Sequence, residues 1–65
     1  MTITIEQNVS HGQLYLVADD GNEIRIPASN VEAFIFGTGL DDAFPQTIEG
    51  PSAQILWMVA RNWEG

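Results

Sequence analysis

The 65-residue chain contains no cysteine and no lysine, and its basic residues are Arg25 and Arg61. Without cysteine it can form neither a disulfide framework nor a thiolate metal site, and it has no cysteine nucleophile. The longest apolar run, residues 55–60, is far shorter than the roughly 18 residues that a membrane span needs. No basic-then-apolar leader follows Met1. These absences predict a soluble, cytoplasmic protein.

The near absence of positive charge leaves nine acidic residues almost unopposed, so the net charge is −7. A basic stripe that could displace the counterions of nucleic acid is missing, and direct binding of DNA or RNA is therefore not expected. The same charge is repelled by anionic membranes and attracted by basic protein surfaces, including those that hold phosphates. A simpler interpretation is that the acidity serves solubility.

Three segments alternate apolar and polar residues as half-buried strands do, and they are residues 2–9, 14–19 and 23–27. A four-residue loop would place Val9 opposite Leu14. A three-residue loop would place Ala18 opposite Ile24, and it is preferred to a two-residue turn because it keeps the apolar residues on one face. Pro27 has no amide hydrogen to donate, so it should end the third strand.

Two further segments predict helices. Ser29 and Glu32 have the spacing of a capping box, which predicts a first helix of about two turns that ends at Gly37. A second helix should begin at Pro51 or the next residue, although a strand is the alternative for residues 55–60. The helical spacing places five residues on its core side: Ile55, Leu56, Val59, Ala60 and Trp63. Together these elements predict one small α+β domain over residues 1–65, a three-stranded antiparallel β-meander packed on one face by two short helices.

The stretch between the helices, residues 39–50, is too long to be an idle linker. Its apolar residues Leu40, Phe44 and Ile48 recur at four-residue spacing, so we expect them to pack over the core as a lid. Three acidic residues of the same stretch should then point to water: Asp41, Asp42 and Glu49.

Neither metal chemistry nor catalysis is expected. Asp41 and Asp42 are adjacent and lack the regular ligand spacing of a calcium loop, and the single His11 cannot assemble a transition-metal site. His11 also lacks a nucleophile and an orienting group at a useful spacing. The chain has no phosphate-binding glycine loop and no dinucleotide fingerprint. We therefore expect a non-enzymatic protein without a cofactor.

Protein–protein recognition is the class of function that remains. Trp57 and Met58 fall outside the predicted core side of the second helix, and a helix that is apolar nearly all round must be covered on both sides. Either the lid covers Trp57, or Trp57 and Met58 form an exposed anchor for a partner or a second copy of the chain.

The size of the chain, its lack of lysine and its compact ββα-like start resemble the small anti-CRISPR proteins of phages and mobile elements. Among these, it is similar to inhibitors of type I CRISPR surveillance complexes, type I-C included. The resemblance extends over the full length of the chain but rests on no shared motif, so no residue role follows from it. It implies a non-enzymatic inhibitor that occupies the basic surface where a Cascade complex admits target DNA, in the cytoplasm of the host bacterium.

The hypothesis is therefore a stoichiometric inhibitor that acts through carboxylates, as a local plug rather than a mimic of a full DNA duplex. The candidate partner-binding residues are two acidic groups and the apolar anchor: Asp19, Asp20, Glu23, Asp41, Asp42, Glu49, Trp57 and Met58. Two alternatives remain open. The chain could be a small phage or bacterial accessory module that self-associates through Trp57 and Met58, or an acidic inhibitor of another nucleic-acid-binding protein.

Overall fold

A four-stranded antiparallel sheet with two helices on one face makes up the α+β fold in the computed structural model, which describes residues 1–63. In chain order the elements are β1 (Thr2–Gln7), β2 (Leu14–Ala18), β3 (Glu23–Ile26), α1 (Ala28–Thr38), β4 (Gln46–Glu49) and α2 (Pro51–Arg61). The strand order is β3-β2-β1-β4, so β1 and β2 lie inside the sheet. Neither helix among the described residues has the length and apolar character needed to cross a bilayer.

The fourth strand corrects the prediction of a three-stranded meander. Residues 46–49 of the expected lid form β4 and pair antiparallel with β1, with Ile48 opposite Ile3. Because directly opposed residues share a face, Ile48 points toward the core with Ile3. Leu40 and Phe44 also pack against the core, as predicted for the lid. The segment therefore covers the core partly as a strand and partly as the loop that precedes it.

The first hairpin has a longer loop than predicted. Gln7 rather than Val9 pairs with Leu14, so the loop covers residues 8–13 and leaves Val9 96% exposed. The Asn8 side chain shapes this loop, because its Oδ1 accepts hydrogen bonds from the backbone N–H groups of residues 10 and 11 at 3.0 and 3.1 Å. The register differs from the prediction by two residues, which keeps the predicted faces of both strands.

The second hairpin has the predicted three-residue loop, but the loop begins one residue earlier. Leu16 rather than Ala18 pairs with Ile24, and the Ala18 N–H donates to the Asn22 carbonyl at 2.8 Å just before β3, so the loop that this bond closes is residues 19–21. Gly21 has φ +89°, a left-handed conformation that glycine adopts without a steric penalty. This register also differs by two residues, so the apolar residues of β2 and β3 still share one face.

The core lies between that face and the helices. The buried apolar residues are Ile3, Ile5, Leu14, Leu16, Ala18 and Ile26 from the sheet and Val31, Phe34, Ala53, Leu56 and Ala60 from the helices. Phe34 is the largest fully buried side chain, and its ring meets the Trp63 ring edge-on with a centroid distance of 5.2 Å. No polar side chain among residues 1–63 is fully buried, so apolar packing alone holds the layers together.

Helix α1 starts earlier and ends later than predicted. It begins at Ala28 directly after Pro27, so Ser29 already lies within the helix and the expected capping box does not form. Pro27, with φ −58°, both ends β3 and leads into the helix. Gly37 does not stop the helix, which continues to Thr38 and ends at Gly39 with φ +72°. Helix α1 therefore has three turns rather than two.

Helix α2 begins at Pro51 and includes residues 55–60, which confirms the predicted helix and not the strand alternative for that run. Its predicted core side is wrong in part. Leu56 and Ala60 are buried and Trp63 is half-buried, but Ile55 and Val59 are 64% and 38% exposed. The buried residues of the helix are Ala53, Leu56 and Ala60, so Ala53 joins the predicted Leu56 and Ala60 on the inward side.

Candidate protein-binding surfaces

The acidic side chains are all on the surface. The eight within residues 1–63 are exposed, and they are Glu6, Asp19, Asp20, Glu23, Glu32, Asp41, Asp42 and Glu49. The only ion pair in this part of the chain joins Arg25 Nε to Glu23 Oε1 at 3.0 Å. Seven of the eight carboxylates thus have no ion-pair partner among residues 1–63.

Strand β4 separates the acidic residues that the sequence placed together on the lid. Glu49 pairs with Thr2, at the end of the sheet where the Asp19 amide donates to the Thr2 carbonyl at 2.9 Å. Asp41 and Asp42 precede β4, and Asp42 borders a hollow with Glu6 near the other end of β1, so the length of β4, roughly 10 Å at about 3.3 Å per residue, lies between them and Glu49. Glu49 therefore belongs with the β2–β3 turn and not with Asp41 and Asp42.

Two acidic surfaces result from this arrangement. The hairpin end comprises Asp19, Asp20, Glu23 and Glu49. The loop end comprises Glu6, Glu32, Asp41 and Asp42, because Asp42 borders one hollow together with Glu6 and another together with Glu32. The sequence alone did not bring Glu6 and Glu32 into either group, since their proximity to Asp42 depends on where α1 and β4 sit on the sheet.

At the hairpin end, part of the negative charge is already engaged. The Asp20 carboxylate accepts hydrogen bonds from the Asn22 backbone N–H and from its side-chain amide, both at 3.0 Å. Glu23 accepts a hydrogen bond from Arg25. This hydrogen bond and, second, the negative charge of Glu23 raise the pKa of Arg25. The Arg25 guanidinium also lies 5.3 Å from the centre of the Tyr15 ring. The hairpin end thus combines acidic groups with one of the two arginines.

At the loop end, the carboxylates remain available. The Gln46 side-chain amide donates to the Asp41 carbonyl at 2.7 Å and to the Ala43 carbonyl at 3.2 Å, which holds the loop through its backbone. The Asp41 and Asp42 carboxylates take no part in those bonds and are exposed. No three His, Asp or Glu side chains within residues 1–63 are placed to hold a metal ion. The carboxylates of the loop end are therefore accessible to a binding partner.

The predicted aromatic anchor is divided between two environments. Trp57 is half-buried and packs against the core, whereas Met58 is 64% exposed. Ile55 and Val59 join Met58 on the outward side of α2, so the exposed apolar face of this helix is Ile55, Met58 and Val59. Sequence reasoning missed Ile55 and Val59 as surface residues because their helical spacing placed them on the predicted core side. Ala53, which was not placed on that side, is fully buried.

An open groove runs beside this face. It has a volume of about 380 Å³ and lies between the end of α1, β4 and α2. Its lining includes Thr38, Leu40, Ile48, Ile55, Leu56 and Val59, and we call it the α2 groove. Gly37 and Ser52 complete the lining, so five of its eight residues are aliphatic and the groove can accept an apolar side chain from another molecule.

Comparison with protein-family models, with curated proteins and with solved structures finds no match to this chain. No activity or partner therefore comes to the chain from a relative. Its surface carries exposed carboxylates at two ends of the sheet and an exposed apolar face on helix α2.

Proposed function

We propose that this chain is a non-enzymatic inhibitor that binds a basic, DNA-contacting surface of another protein and thereby blocks DNA binding. The observation that carries the proposal is the set of exposed carboxylates, seven of which have no ion-pair partner within residues 1–63. Carboxylates form strong charge-assisted hydrogen bonds with the lysine and arginine side chains that otherwise hold phosphates. Competition of this kind requires neither a catalytic group nor a cofactor.

The target in this proposal is a type I CRISPR surveillance complex in the cytoplasm of the host bacterium, the target class implied by the resemblance of the chain to small anti-CRISPR proteins. The charge favours a plug over one DNA-contacting patch. The longest dimension of the fold is 27 Å, and a DNA duplex of that length carries roughly 16 charges at about one per 1.7 Å. The net charge of −7 is less than half of this.

A gel-shift assay tests the proposal. The protein, in slight molar excess over a purified type I surveillance complex, should remove the band of the complex bound to its target duplex. Persistence of the effect at near-physiological salt would indicate that apolar contacts assist the carboxylates, because salt screens exposed charges. An unchanged band, without co-elution of the two proteins, would refute this target.

A second candidate function is supported by the exposed apolar face of α2. Self-association through Ile55, Met58 and Val59 would make the chain an accessory or assembly module, with a second copy as its partner. Static light scattering over a range of concentrations would then give a rising molar mass. Met58→Ser should abolish that rise without loss of fold, whereas Trp57→Ser is a poorer test because Trp57 packs against the core.

A further inference from the structure

An apolar surface extends beyond the α2 groove toward helix α1. Leu40 lines the α2 groove and also a second hollow, which contains Phe36. Phe36 is 90% exposed and Ile55 is 64% exposed, values far above those of the core side chains. Because Leu40 lines both hollows, they adjoin there, with Val59 of α2 in the first and Phe36 of α1 in the second.

One rim of this surface is acidic. The second hollow is bordered by Glu32, Asp41 and Asp42, all of which are exposed. None of these carboxylates forms an ion pair within residues 1–63. The molecule thus presents an aliphatic groove on one side of Leu40 and three unpaired carboxylates on the other.

We propose that this combined surface, the α2 groove with its acidic rim, is the docking site for an amphipathic segment of a basic partner. Apolar side chains of that segment enter the groove, while flanking lysine or arginine side chains pair with Glu32, Asp41 and Asp42. The inference rests on the proposed function, for which it names the contact surface. The groove volume of about 380 Å³ exceeds the roughly 300 Å³ at which ligand pockets begin, so it can hold side chains of a partner.

Charge favours a basic partner over a second copy of the chain. Each copy carries a net charge of −7, and a pair formed through this surface would bring the unpaired rim carboxylates of both copies into or beside one interface, where like charges oppose association. The chain has only two arginines to offset them. Arg25 lies in β3 and donates a hydrogen bond to Glu23. Arg61 is therefore the arginine on α2, the helix that carries the apolar face.

Two designed helical peptides test the inference without knowledge of the target. One carries leucine on one face and lysine elsewhere, and the other has glutamate in place of lysine. Titrated into the isotopically labelled protein at near-physiological salt, the lysine peptide should bind at least tenfold more tightly than the glutamate peptide. The amide shifts should concentrate at residues 36–42 and 55–59.

Variants then locate the binding. The double substitution Ile55→Ser with Val59→Ser should weaken binding of the lysine peptide at least tenfold. Val9→Ser is the control, because Val9 is an exposed apolar side chain that does not line the α2 groove, and it should weaken binding less than threefold. Thermal melts of both variants verify that each is folded.

Several results would overturn the inference. These are equal affinity for the two peptides, amide shifts confined to the hairpin end, and a concentration-dependent dimer that excludes the lysine peptide. With the surveillance complex, inhibition that persists undiminished in the Ile55→Ser, Val59→Ser variant would also reject the groove and leave the proposed function intact. Conversely, lysine-peptide binding in the groove together with an unaffected gel shift would reject the target and retain the docking site.

Discussion

Reversal of two charges at the loop end, Asp41→Lys with Asp42→Lys, should weaken binding to a basic target strongly. An exposed ion pair is worth roughly 0.2–1 kcal/mol. Because each substitution replaces an attraction by a repulsion of similar size, two reversals cost about 0.8–4 kcal/mol. At about 1.4 kcal/mol per factor of ten, this corresponds to roughly 4- to 700-fold weaker binding. Both residues are exposed and neither carboxylate forms a hydrogen bond within residues 1–63, so folding stability should change by less than about 0.5 kcal/mol.

The matched control is Asp19→Lys with Glu49→Lys at the hairpin end. Each double variant replaces two negative charges by two positive ones, so both change the net charge from −7 to −3 (−7 + 4 = −3). The two pairs of substitutions lie at or beyond opposite ends of β4, which is itself roughly 10 Å long, and exposed charges are screened over a Debye length of about 8 Å at physiological ionic strength. A local contact at the loop end should therefore be far more sensitive to the first variant than to the control.

Competition gel shifts at two salt concentrations measure the effect, with thermal melts to verify folding. Equal losses in the two double variants would refute the argument for a local contact and indicate that only total charge matters. A larger loss in the control would move the contact to the hairpin end.

Other predictions concern the fold. Phe34→Ala should cost about 3–5 kcal/mol, comparable to the total of roughly 3–10 kcal/mol expected for a 65-residue domain; a urea midpoint within error of the unsubstituted protein would contradict the central place of Phe34 in the core. Gly21→Ala should cost about 1–2 kcal/mol through its left-handed backbone alone, because nothing lies within 4 Å of an added Cβ. Gly37→Ala should instead stabilise the fold by up to about 1 kcal/mol. Gly37 is helical, and an added Cβ would reach the Trp63 ring at 3.4 Å, a contact distance. Thermal melts that rank the two alanine variants in the opposite order would refute the backbone conformations given to both glycines.

Much of the sheet could be predicted from alternation of apolar and polar residues. The inward faces of β1 and β2 follow directly from Ile3, Ile5, Leu14 and Leu16, which are all fully buried. The exact pairing could not be predicted, because registers that differ by two residues bury the same face. Strand β4 was missed since it has only four residues, follows a proline and gains its extended conformation by pairing with β1.

The candidate site was less accessible to sequence reasoning. The exposure of Asp41 and Asp42 follows from their charge. Their separation from Glu49 depends on strand β4, and the prediction treated this segment as a lid without a strand. On α2 the helical spacing placed Leu56 and Ala60 correctly on the core side, but within the uninterrupted apolar run it also placed Ile55 and Val59 there, and these are exposed. The inward side is determined by where the small side chains of Ala53 and Ala60 permit close approach, and that is a property of packing between elements.

The position of β1 has a consequence for how the chain folds. Its pairing with β2 is local, but its other edge is covered only by β4, and Ile3 and Ile48 are 45 positions apart in the chain (48 − 3). Contacts between distant segments require a large loop to close before they contribute, which slows folding. The β1–β2–β3 meander can therefore assemble early with one edge of β1 unpaired. We expect closure by β4 to complete the sheet last and, in the same step, to fix the separation of the two acidic ends.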